Sequence, residues 1–149
     1  MNNEKIIEVL NVLVEINNDR INGYETAYKE TEELDLKSIF HDLANTSHQC
    51  KNELSIEISK LGGSATEDTK VLGKFFRVWM DVKAALTGKD RKAILNSCEY
   101  GEDMAKETYE GVLENDLAYL NDHLQSIVKE QYVLLVADHD KVKMLRDAA

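Results

Sequence analysis

A chain of 149 residues is about one domain, long enough to bury a sizeable core without a disulfide or metal staple. Its 18 Lys and Arg against 28 Asp and Glu give a net charge of −10, which repels phosphate backbones and anionic lipids and sets aside nucleic acid and membrane surfaces as partners. Proline is absent and there is no low-complexity tract, so long uninterrupted helices are expected.

Met1 to Glu8 lacks the basic and apolar regions of a secretory signal. No run reaches the roughly 20 apolar residues of a membrane span. A cytoplasmic protein is therefore expected. The first helix is predicted over about 4–33, capped by Asn2 or Asn3. Its inward stripe is Ile6, Leu10, Leu13, Asn17, Ile21, Tyr24 and Tyr28, with Glu8, Glu15, Asp19, Asn22 and Lys29 on the wet face.

The second helix is predicted over about 36–61 behind a cap at Asp35, with Leu36, Phe40, Leu43, Ser47, Cys50, Leu54 and Ile58 inward and Gly62 and Gly63 ending it. So short a turn makes the two helices antiparallel, with facing residue numbers summing to about 68. Gly62 to Lys89 is too long for a hairpin and too apolar for an idle loop. Leu72, Phe75, Phe76, Trp79, Val82 and Leu86 predict a crossover helix over about 70–87.

A further helix is predicted over about 91–114, with Ile94 or Leu95, then Cys98, Glu102, Ala105, Tyr109 and Val112 inward. The last, over about 117–147 behind a cap at Asn115 or Asp116, turns Leu124, Ile127, Gln131, Leu135, Asp138 and Val142 inward. A turn near Asn115 sets Glu102 opposite about residue 129, at the height of Gln131, and leaves Asp138 and His139 outside a site around Glu102. The expected architecture is all-α: one domain over 1–149, a four-helix bundle in up-down-down-up order with an extra crossover helix. Cys50 and Cys98 lack zinc-ligand spacing and are expected to be buried thiols.

The segments Asn17-Asn18-Asp19-Arg20-Ile21-Asn22-Gly23-Tyr24, Trp79-Met80-Asp81-Val82-Lys83-Ala84-Ala85-Leu86-Thr87-Gly88 and Cys98-Glu99-Tyr100-Gly101-Glu102-Asp103 resemble a bacterial family of ferritin-like four-helix bundles. That family carries the label of a domain of unknown function, and the likeness covers essentially the whole chain. The resemblance implies a ferritin-like fold, a bacterial cytoplasmic setting and a loose link to stress responses. It implies no reaction.

Ferritin-like di-iron centres take a Glu from each of two helices and a Glu-x-x-His from each of the other two. Carboxylates bridge and neutralise the two cations, and the imidazoles complete their coordination. This chain has no Glu-x-x-His: Ile56 stands three residues after Glu53, and Val136 three before His139. Ferroxidase or oxygenase chemistry is accordingly not expected, and an enzyme is not the first expectation.

Three functions follow. The first is an interaction or assembly module, a homodimer or a complex with another protein, that requires no cofactor and has a structural polar layer of Asn17, Arg20, Ser47, Cys50 and Gln131. The second is a residual iron or manganese site centred on Glu102, drawing on one or more of Glu25, Glu53 and Glu99, flank carboxylates that a helix rotation of about 40° would bring inward, with His48 as a further candidate. The third is a small-ligand pocket lined by Tyr24, Cys50 and Cys98.

Overall fold

A computed structural model describes residues 2–68 and 91–149, without the side chains of residues 30, 93 and 97. The predicted crossover helix over about 70–87, with Trp79, lies outside the described residues. Among the described residues the chain is all-α: α1 (Asn3–Glu30), α2 (Leu34–Lys60), α3 (Arg91–Asn115) and α4 (Asp122–Ala148), with one 3-10 turn at Leu117–Tyr119. None of these helices is long and apolar enough to cross a membrane.

Local chemistry sets each end. Asn2 accepts from the Lys5 amide at 3.3 Å and starts α1, and Thr31 ends it in an extended conformation. Glu33, not Asp35, precedes α2, because Asp35 lies inside the first turn, where it pairs with Arg91 at 2.6 Å. Gly62 ends α2 at φ 85°, with its amide on Ser59 and that of Gly63 on Ile58, the bonding of a Schellman cap. Gly63 is confined differently, since a Cβ there would stand 2.8 Å from Ile7 Cδ1.

Every neighbouring pair of helices runs antiparallel. Tyr24 stacks on Phe40 and Arg20 bonds Ser47 between α1 and α2. Arg20 meets Glu102, and Asn17 meets Tyr109, between α1 and α3. Glu57 meets His123 and Lys141 faces Asp42 between α2 and α4, while Asp103 meets His139 and Glu110 meets Tyr132 between α3 and α4. The α1–α2 pairs follow the expected register.

The α3–α4 register does not. Leu117–Tyr119 forms a 3-10 turn and α4 starts only behind Asn121, whose side chain accepts from the Leu124 amide at 2.9 Å. Lengthening the connection moves the partner of Glu102 from about residue 129 to about residue 140, some 16 Å along the axis. Asp138, expected outside the site, thereby reaches it, and Gln131 leaves it.

Burial divides the apolar core in two. One part, around Leu10, Leu13, Ile58, Val112, Leu124 and Val128, fills the end near the α3–α4 turn. The other, around Tyr24, Phe40, Leu43, Leu95, Cys98 and Val142, fills the opposite end. Between them lie buried polar side chains of all four helices. Tyr28, expected inward, is 43% exposed, and Asp19, expected on the wet face, is buried. Asn18 is buried too: its amide donates to the carbonyls of Thr66 at 3.0 Å and Asp68 at 2.9 Å, pinning the chain that leaves α2 across that side of α1.

Candidate functional site

The inward stripe of α1 carries Arg20, and its guanidinium is the centre of the polar layer. The side chain is 1% exposed, and its stem crosses the core so that the head reaches three other helices. Nη2 donates to Glu102 Oε1 at 2.8 Å and to Asp138 Oδ2 at 3.0 Å, Nε to Glu102 Oε1 at 3.2 Å, and Nη1 to Ser47 Oγ at 2.5 Å. The Tyr24 hydroxyl adds a third donor to Glu102 Oε1 at 2.5 Å. Glu102 Oε2 is buried with no protein partner.

The electrostatics follow from this packing. Burial alone would weaken the charge on Arg20, but Glu102, Tyr24 and Asp138 outweigh it and hold the guanidinium above its ordinary pKa. Burial, then the negative charge of Glu102, pushes the Tyr24 hydroxyl well above its usual value. The guanidinium thus stays charged beside a neutral phenol. Two buried charges of opposite sign neutralise each other here only because the hydrogen bonds are also made.

A second polar layer lies nearer the α3–α4 turn. Tyr109 accepts from Asn17 Nδ2 at 2.9 Å and donates to Gln131 Oε1 at 2.7 Å. Gln131 Nε2 donates to the Cys50 carbonyl at 3.2 Å and to Glu53 Oε1 at 2.9 Å. Both cysteines are free and buried. Burial pushes the Cys50 thiol up to about 12, and burial with Glu102 raises Cys98 as well. Neither is an activated thiolate.

The four carboxylates proposed as ligands do not come together. Glu102 is in the core, whereas Glu25 is exposed and pairs with His48 at 2.7 Å. Glu53 is exposed and takes the Gln131 amide, and Glu99 pairs with Arg146 across α3 and α4. At this height the inward positions are taken by Arg20, Ser47, Glu102 and Asp138, and Glu25, Glu53 and Glu99 stay on the flanks. The five residues of the expected polar layer are all buried, but they divide between two layers: Arg20 and Ser47 in one, Asn17, Cys50 and Gln131 in the other.

A di-metal centre does not fit around Glu102. One of its oxygens already accepts three donors, and a divalent cation at that height would stand against a guanidinium that is 1% exposed, where burial strengthens the repulsion. An open groove of about 160 Å³ lies between α1 and α2, with Tyr24, Tyr28, Phe40, His41, Ala44 and His48 among its lining residues and neither cysteine among them. Sequence reasoning placed Asp138 on an inward stripe but missed its height. It also missed Asp103, which lies four residues after Glu99 and meets His139 across the helix pair.

Among the described residues, one group of three metal-capable side chains converges, and it does not include Glu102: Glu99, Asp103 and His139. No curated protein matches the chain in sequence. The family model described as a domain of unknown function (DUF2383) matches residues 5–115, a span that holds α1, α2 and α3 with Arg20, Ser47 and Glu102, and the chain belongs to that family.

Proposed function

We propose that this chain is a ferritin-like bundle in up-down-down-up order whose centre is closed by an internal cation, and that it acts by association, as an interaction or assembly module. The observation that carries this reading is the Arg20 guanidinium, set between Glu102 and Asp138 where a metal protein of this architecture would place its ions. Such a centre exchanges neither ligands nor electrons. What remains available to a partner is the outer surface, where Leu34, Ile56, Val133 and Met144 expose apolar side chains. The first partner proposed is a second copy of the chain, in a bacterial cytoplasm; the link to stress responses rests on the family resemblance alone.

Sedimentation equilibrium of the full chain tests this reading. A dimer is the expected result. A chain that stays monomeric at high concentration and captures no protein in a pull-down counts against it.

A further inference from the structure

Beside the arginine layer, α3 and α4 bring a histidine and two carboxylates together. Glu99 and Asp103 stand four residues apart on one face of α3, and His139 of α4 comes close to both. One ligand atom from each falls within 4.8 Å of the other two. Ligand atoms around a cation with bonds of about 2.1 Å lie at most about 4.2 Å apart, so small side-chain rotations close the triad.

The surroundings favour a cation. His139 directs Nε2 at Asp103 and Nδ1 at Asp140 Oδ1, 3.3 Å away, so both nitrogens face carboxylates. A neutral imidazole has only one N–H and cannot donate to both. A cation on the Nε2 side, with Nδ1–H donated to Asp140, satisfies both nitrogens, and this carboxylate–histidine arrangement is the one that orients metal-bound imidazoles. Glu99 pairs with Arg146, but that guanidinium also holds Asp147 through Nε at 3.1 Å and Nη2 at 2.9 Å. Releasing Glu99 therefore leaves Arg146 paired. The His139 side chain is 11% exposed and that of Asp103 is 49% exposed, which gives an anchored ligand and an open side for water.

We propose that Glu99, Asp103 and His139 form a mononuclear site for a first-row divalent transition-metal ion, with Asp140 orienting the imidazole. One imidazole with two carboxylates suits manganese, iron(II), cobalt or zinc better than calcium or magnesium, which prefer oxygen alone.

The test uses the full chain without a polyhistidine tag, titrated with Co(II) and followed by visible absorption, with Zn(II) and Mn(II) followed by calorimetry. One equivalent per chain is expected. H139Q should abolish the saturable cobalt band, and D140N should weaken binding by about 10- to 100-fold. H48Q, which removes the surface pair with Glu25, should leave binding unchanged. If H139Q does not fold by circular dichroism, D103N replaces it as the deciding variant. Absence of saturable binding would mean that a protonated imidazole merely bridges Asp103 and Asp140, and would overturn the proposal. Binding that survives both H139Q and D103N, or that is lost in H48Q, would overturn it equally.

Discussion

Substituting Arg20 by Met removes the charge while keeping most of the stem's volume, so little of its effect comes from a cavity. What changes is the fate of the carboxylates. Asp138 keeps 18% of its side-chain surface and can turn to water, but the Glu102 side chain is fully buried and retains only the Tyr24 hydroxyl. Leaving a buried charge without its partner costs about 3–5 kcal/mol. In a domain of this size each kcal/mol moves the melting temperature by about 2–4 °C, so R20M should melt about 6–20 °C lower. Adding E102Q removes the stranded charge and should recover most of that loss, making the double variant more stable than R20M. Urea and thermal unfolding followed by circular dichroism measure both. An R20M variant within about 1 kcal/mol of the wild type, or a double variant no better than R20M, would refute the claim that the pair is buried and mutually dependent.

Further consequences follow from the other buried groups. Y109F strands the acceptor of Gln131 and takes one partner from Asn17, and should cost about 1–3 kcal/mol in the same unfolding assays. N121A should cost about 1 kcal/mol, because the Leu124 amide loses its cap at the start of α4. Cys50, Cys98, Tyr24 and Tyr109 all bind their protons more tightly when folded, chiefly through burial. The stability this represents is complete below the unfolded thiol value of 9 and, for Cys50, is lost as pH rises from 9 to about 12, with the tyrosines adding to the loss above 10. Each titrating group contributes a slope of up to about 1.4 kcal/mol per pH unit, and C50A/C98A should flatten the curve between pH 9 and 10. Stability that stays constant from pH 8 to 11 would contradict the burial of these groups.

The four described helices were legible because their apolar stripes repeat at helical spacing over many turns, and the Gly62 cap was legible because φ 85° is a position glycine fills without strain. A buried Glu102 needs a cation, but the expected inward stripe of the first helix passes from Asn17 to Ile21 and leaves Arg20 beside it, so the stripe alone did not show the pair. Heights along α4 were not legible either. They depend on how the chain crosses from Asn115 to Asp122, and the 3-10 turn at Leu117–Tyr119 has no strong periodic signature. A few residues in that turn decided whether Gln131 or Asp138 stood beside Glu102. The Glu99–Asp103–His139 group escaped notice for the same reason: its residues sit on the flanks of two stripes, and only the true register brings them together.

Anaerobic titration of Fe(II) into the full chain and into E102Q bears most directly on the claim that an arginine, and not a metal pair, occupies the bundle centre. The arginine-centred account predicts that any stoichiometric binding is the same in both proteins and responds instead to H139Q. About two iron ions per chain, lost in E102Q, would contradict it.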